Sequence, residues 1–256
     1  MQPRQLINWT LSASGVDKLY FLYKTQAPLM VYRSYLKSRY RTRQITSKYQ
    51  KQASDFARVK ERLQLSSDWF SHHVPSWLAL FEHYSMYQKD HLQALEIGSW
   101  EGLSSYFLLH ILGNAQLTCV DTWQGADEHR SGAATTAANL ANIETLFEQN
   151  LMPFRHRITK YKGTSSAFFA TAQIRERFDF VYVDGSHHSD DVMLDAISGF
   201  NALKVGGLLI FDDYFWRHYP KDIDNPAGAI NAFLRLKKGA FKIAHLQHQM
   251  VIEKTG

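Results

Sequence analysis

The amino-acid sequence predicts an α/β fold, a doubly wound, mostly parallel sheet of seven strands with an N-terminal helical extension. Three observations predict it. From residue 92 onward, five short apolar runs alternate with segments of helical periodicity, the pattern of a parallel sheet covered by helices on both faces. Two more apolar runs close the chain with only a short turn between them and read as a hairpin that adds an antiparallel strand. Residues 1–65 lack this alternation and are polar and rich in Lys, Arg and Gln.

Taken in order, the front holds one proline beyond position 3, Pro28, and its aromatics Tyr32, Tyr35, Tyr40, Tyr49 and Phe56 fall at spacings that suit helices. One or two helices are expected there, lying on the main domain or on a partner. Residues 66–70 read as a link. Pro75, followed by Trp77, Leu78, Leu80, Phe81 and Tyr84, reads as a helix with proline in its first turn. The alternation then runs as strand 92–97, helix 104–112, strand 116–120, helix 138–148, strand 157–161 and helix 166–175. It continues as strand 178–183, helix 190–203, strand 207–211 and helix 229–236, and the runs 241–246 and 249–253 form the hairpin. The expected organisation is a basic helical extension over 1–65 and one α/β domain over 66–256.

Composition narrows the class. Of 256 residues, 45% are apolar, enough for a sizeable core. No apolar run reaches the roughly 20 residues needed to span a bilayer; the most apolar early segment, 19–32, is interrupted by Lys24, Thr25 and Gln26. The N-terminus lacks the pattern of a signal peptide, and the single cysteine, Cys119, has no internal partner, so a reducing cytoplasm is expected. The net charge of +5 is unevenly placed, with +10 on residues 1–65 and −5 on the rest. The basic front suits a peripheral contact with an anionic membrane or a protein partner, or stands as a solvated helix face. It matches no nucleic-acid module, and no specific nucleic acid is expected. Homo-oligomerisation stays open.

The first strand leads into Leu95-Glu96-Ile97-Gly98-Ser99-Trp100-Glu101-Gly102, where glycines let the chain turn tightly and approach a ligand. In open α/β sheets ligands sit at the C-terminal strand ends, at the switch in strand order. The spacing Gly-x-x-x-Gly departs from the Gly-x-Gly-x-x-Gly of a dinucleotide turn and argues against NAD. The second strand ends in Asp121, placed to accept hydrogen bonds from both ribose hydroxyls of a nucleoside.

These residues resemble the class I S-adenosylmethionine-dependent methyltransferases, a Rossmann-like family whose first motif is an acidic residue, any residue, then Gly-x-x-x-Gly. The resemblance implies that Glu96 lies near the methionine amino group, that Gly98 and Gly102 give backbone room beside Ser99, and that Asp121, next to Thr122, holds the ribose. Asp68-Trp69-Phe70, the block from Val120 through Trp123 to Gly125, Val183-Asp184-Gly185-Ser186-His187 and the stretch from Gly206 to Tyr214 look like methyltransferase family 24. That branch includes metal-dependent O-methyltransferases acting on sugar hydroxyls. By the same resemblance Ser165 approaches the adenine; on the residues alone 163–165 is equally a plain turn. Trp123 either flanks the adenine or is ordinary core.

The reactive chemistry is expected at the fourth and fifth strand ends. Asp184 ends one strand, Asp212 and Asp213 end its neighbour, and strands about 5 Å apart bring such carboxylates together. Three close carboxylates repel unless a cation joins them. Ligation by oxygen suits Mg2+, or Mn2+ or Ca2+, better than zinc. Asp184 also borders the expected donor. Asp212 or Asp213 could alternatively cap the turn. An alcohol is hardly ionised at neutral pH, so a base is needed, and His187 matches the catalytic histidine of the sugar branch. His188 reads as a neighbouring contact, Asp190 and Asp191 as the start of the next helix, and His129 as part of a segment that covers substrate or is plain surface.

The expected activity is therefore S-adenosylmethionine-dependent O-methylation of a small-molecule hydroxyl, a sugar or another natural product, assisted by a divalent cation. The alternatives are a metal-independent methyltransferase of the same fold and a methyltransferase-like binding protein tethered through its basic front.

Overall fold

The computed structural model describes residues 13–126, 136–171 and 174–256. Among the described residues three helices form the front: α1 (Ala13–Lys24), α2 (Leu29–Lys48) and α3 (Gln50–Lys60). Two local breaks explain why there are three. Gln26 has φ +52° and Pro28 is extended, which separates α1 from α2; Tyr49 leaves helical geometry at φ −104°, ψ 15° and separates α2 from α3. Then come α4 (Val74–His83), β1 (Leu92–Ile97), α5 (Leu103–Ile111), β2 (Ala115–Asp121), α6 (Ala137–Leu151), β3 (Ile158–Lys162) and α7 (Ser165–Thr171). The chain finishes with β4 (Phe178–Val183), α8 (Ser189–Ala202), β5 (Leu203–Phe211), α9 (Pro226–Leu236), β6 (Phe241–Leu246) and β7 (Met250–Lys254).

The seven strands form one sheet in the order β3-β2-β1-β4-β5-β7-β6, with β7 antiparallel to both of its neighbours and the rest parallel. Strand order reverses between β1 and β4, so a crevice opens above their C-terminal ends. Side chains alternate between two cores. Phe178, Val181 and Val183 of β4 face one cluster with α8 and α9; Phe180 and Tyr182 face the other with α4 and α5. Trp77 of α4 is wholly buried there, edge-on to Phe180 and Tyr182 at 5.1 and 5.0 Å between ring centres. Burying such a side chain contributes roughly 3 kcal/mol, which fixes α4 on the sheet.

The helical front shares these cores. Phe21, Leu22, Val31 and Tyr35 are buried with Phe211, Tyr214 and Leu246, while Tyr49 and Phe56 join the opposite cluster. Ser38 Oγ accepts from Leu246 N at 2.9 Å, and Asn231 donates to the Thr25 carbonyl at 3.1 Å. The outer face of α2 is a different surface: Arg33, Lys37 and Arg41 are exposed on a helix that contains no acidic residue. No helix among the described residues is long and apolar enough to cross a membrane.

Candidate active site

Strand register assembles the site. Ile97 pairs with both Val120 and Val183, and Val183 pairs with Phe211, so the next residues, Gly98, Asp121, Asp184 and Asp212, form one row across the strand ends. Backbone bonds continue past the strands: Gly98 N donates to Val120 O at 2.9 Å, Asp184 N to Ile97 O at 2.8 Å and Asp212 N to Val183 O at 2.9 Å. The row borders a cleft of about 810 Å³, inside the range of roughly 300–1,000 Å³ usual for small-molecule sites. Its lining includes eight carboxylates, Asp68, Glu101, Asp121, Asp184, Asp191, Asp195, Asp212 and Asp213, and no lysine or arginine among the described residues. Such a wall favours a cationic occupant.

At the β1–β2 end, Gly98 has φ +85°, and a Cβ there would fall on the Asp184 carbonyl oxygen. Only glycine lets β1 and β4 approach this closely. Asp121 ties the turn together: Oδ2 accepts from Ser99 N at 2.7 Å and Trp100 N at 2.8 Å, and Oδ1 accepts from Trp123 N at 2.7 Å.

At the β4–β5 end, Asp213 adopts φ +48°, a left-handed turn that Asp tolerates better than most residues. Its Oδ2 lies 2.9 Å from His187 Nε2, and the His187 ring packs on Trp216 at 4.5 Å. Ligand atoms of Asp184, His187 and Asp213 all lie within 4.8 Å of one another. Tyr182 donates to Asp184 Oδ2 at 2.8 Å. Asp212 is turned toward the hairpin instead: Gln249 Nε2 donates to its Oδ1 at 2.6 Å, and Trp77 Nε1 donates to Gln249 Oε1 at 2.8 Å, which aims the amide. Burial, with repulsion from Asp212 and then Asp213, pushes Asp184 well above the ordinary carboxylate range. Burial and Asp213 push Asp212 up to about 7. His73 Nε2 is 3.5 Å from Asp212 Oδ1, but burial holds that imidazole well below its ordinary value and neutral, so the contact is not an ion pair.

Of the residues singled out from sequence, Gly98, Ser99, Asp121, Thr122, Ser165, Asp184, His187, Asp212 and Asp213 line the cleft. Glu96, Gly102 and Trp123 do not. Glu96 lies beneath the turn, accepting from Ser104 Oγ at 2.6 Å and from Ser105 Oγ. Its side chain takes the face of β1 opposite Leu95 and Ile97, and burial raises its pKa. Gly102 has φ +84°, and a Cβ there would meet Leu151 and Phe147 of α6, so that glycine serves helix packing. Trp123 stacks obliquely on Phe147 at 4.9 Å and donates to Trp100 O at 3.0 Å, as core. Asp190 and Asp191 occupy the first turn of α8, where their charge favours the helix dipole. His188 stacks on Tyr219 at 4.2 Å, and His129 lies outside the described residues.

Other cleft residues have no sequence signal. His72, His73 and His248 form an imidazole cluster from the link and the β6–β7 turn, with ring centres of His72 and His73 3.8 Å apart. Asp195 is also unmarked, as is Gln249 behind the lining against Asp212, because each reads as an ordinary helix or strand residue.

Asp195 gives a stability prediction. It is 2% exposed, and burial raises its pKa to about 7 from an ordinary 3.8 despite a hydrogen bond with Ser165. The folded value lies above the unfolded one, so the fold prefers the neutral acid. The penalty is absent below about pH 4, grows as pH rises and is complete above about 7, at roughly 4 kcal/mol. Asp195→Asn is expected to raise Tm at pH 8 and to leave it nearly unchanged at pH 4; melting curves at the two pH values check this, and an equal shift at both would contradict it.

The model of a methyltransferase domain, methyltransferase family 24, matches residues 95–214. Among solved structures the chain is similar to a Staphylococcus aureus protein provisionally assigned as a caffeoyl-CoA O-methyltransferase, with TM-score 0.53 and 15% identity over 84% of this chain and 98% of that one. It is similar to an O-methyltransferase from Bacillus cereus in complex with SAH, with TM-score 0.51 and 12% identity over 88% and 100% of the two chains. It is also similar to the MycE methyltransferase of the mycinamycin biosynthetic pathway in complex with Mg and SAH, with TM-score 0.50 and 16% identity over 99% of this chain and 62% of that one. At these identities the likeness is one of fold. A comparison with curated proteins finds no match.

Proposed function

We propose that this chain, whose residues 95–214 match the model of a methyltransferase domain and whose fold is the Rossmann-like one of its structural neighbours, transfers the methyl group of S-adenosylmethionine to a hydroxyl of a small molecule, a sugar or related natural product, with a divalent cation at the β4–β5 end of the cleft. The observation that carries this reading is the convergence of Asp184, His187 and Asp213 in a cleft whose described lining has acids and no lysine or arginine. S-adenosylmethionine is itself cationic at sulfur.

The residues fit a hard cation. Asp184 and Asp213 would hold it, and Asp212 adds charge from behind while its Oδ1 accepts from Gln249. The pKa values of Asp184 and Asp212 are raised by burial first and then by repulsion from neighbouring carboxylates, and a cation would relieve that repulsion. When bound, the cation supplies Lewis-acid help that lowers the pKa of a substrate hydroxyl. His187, oriented by Asp213, accepts the hydroxyl proton as neutral imidazole. The oxygen forms its bond to the methyl carbon as the carbon–sulfur bond breaks, and its electron pair stays on sulfur, giving S-adenosylhomocysteine. Asp121 holds the nucleoside; its three accepted N–H bonds leave acceptor capacity for ribose hydroxyls, because a carboxylate offers about four lone-pair directions.

Calorimetry tests the donor site. S-adenosylhomocysteine is expected to bind, and Asp121→Ala to weaken it by about tenfold or more. A folded protein that binds neither S-adenosylmethionine nor its product would overturn the reading. The 2.9 Å His187–Asp213 contact favours one second reading, a metal-free methyltransferase in which this pair alone supplies the base.

A further inference from the structure

Glu101 is a lining carboxylate that neither the turn nor the β4–β5 cluster uses. It is fully buried, and its Oε1 is the only buried carboxylate oxygen among the described residues with no hydrogen-bond partner. The rest of the residue is fixed from two sides. Oε2 accepts from Ser66 N at 2.8 Å, and its carbonyl accepts from Asn150 Nδ2 at 2.9 Å. Asn150, itself buried, also brackets Gln64, accepting from its N–H at 2.8 Å and donating to its carbonyl at 3.0 Å. The link after α3 is thus stitched over the turn after β1, and Glu101 is held rigidly between them.

An ionised carboxylate left half-satisfied out of water is costly, and that cost is recovered when a cation or strong donor arrives with the ligand. No lysine or arginine among the described residues lines the cleft, so none of these supplies the missing partner. Glu101 lines the cleft from the turn after β1, with Oε2 tied to Ser66 N, while Asp121 ends β2. We propose that Glu101 Oε1 anchors a primary ammonium, the amino group of the amino-acid arm of the methyl donor. This rests on the methyl-donor reading above and moves the anchoring role from Glu96, which is sealed beneath the turn by Ser104 and Ser105, to Glu101.

A truncated ligand separates anchoring from mere support of the link. S-adenosylhomocysteine keeps the arm; 5′-methylthioadenosine keeps the nucleoside and thioether and lacks it. With the full chain in a calorimeter, Glu101→Gln is expected to weaken S-adenosylhomocysteine by about tenfold or more and to leave 5′-methylthioadenosine within about twofold. Equal loss of both ligands would assign Glu101 to holding the link, and loss of neither would also overturn the anchor. If Glu101→Gln does not fold, the same ratio is read on Glu101→Asp, which keeps the charge but withdraws it by one methylene; there too selective loss of S-adenosylhomocysteine supports the anchor, and parallel loss or none refutes it. A parent protein that binds neither ligand refutes the methyl-donor reading itself, and that control keeps the two failures apart.

Discussion

Replacing His187 with alanine is expected to lower kcat by roughly 10²- to 10⁴-fold, the range usual for a general base, while S-adenosylhomocysteine affinity stays within about twofold. The imidazole is held for this task. Asp213 Oδ2 sits 2.9 Å from Nε2, Trp216 packs on the ring at 4.5 Å, and the side chain is only 14% exposed. A base oriented by a carboxylate is a recurrent arrangement, in which the acid selects the tautomer and the ring face. Because His187 is one of the three converging residues, cation affinity must be measured beside kcat. Unchanged cation affinity in His187→Ala marks a base; loss of cation affinity in step with kcat would reassign His187 as a ligand.

Chelation of divalent cations is expected to reduce turnover by about a hundredfold or more, and cation affinity is expected to rise with pH. The sign follows from the carboxylates. Asp212 is pushed up to about 7, and Asp184 is also held well above its ordinary value, so below neutrality the cluster retains protons that a cation must displace. Displacing one proton weakens binding by about tenfold for each pH unit below the controlling pKa. Calorimetric titration with Mg2+ at pH 6 and pH 8 should therefore show clearly weaker binding at pH 6. Full activity in EDTA, retained in Asp212→Ala, would support the metal-free reading. Asp213→Ala affects both readings, because it removes the carboxylate shared by the cluster and the imidazole.

The strands are legible in the sequence because most are short apolar runs bounded by polar residues; β3, Ile-Thr-Lys-Tyr-Lys, is legible by its place in the alternation with helices. The clearest discrepancy is β5, which starts at Leu203 rather than at 207. Residues 204–206 fall between the expected helix and the expected strand, yet Leu203 already pairs with Phe178. Gly206, at φ +78°, and a register shift in the β4–β5 pair let the strand absorb the irregularity and continue. The carboxylates at the ends of β2, β4 and β5 were equally legible, since register alone puts Asp121, Asp184 and Asp212 in one row. Glu96, Gly102 and Trp123 lie close by in sequence but face away from the cleft. Their directions depend on strand alternation and on left-handed residues at Trp100 and Trp123, which no spacing rule supplies.

The sequence by itself determined the alternating strands and helices and the acids at the C-terminal strand ends, because those follow from hydrophobic period; the strand order that opens the crevice between β1 and β4 came from the structure. Only the tertiary structure decided which side chains share that crevice. Packing put the basic front into the same cores as the sheet, brought His73 and Gln249 to Asp212 with His72 and His248 against His73, and left one oxygen of Glu101 without a partner. Those outcomes depend on side-chain direction and on contacts between residues more than 80 positions apart in the chain, such as Gln64 with Asn150 and Trp77 with Gln249, and local sequence pattern does not encode them.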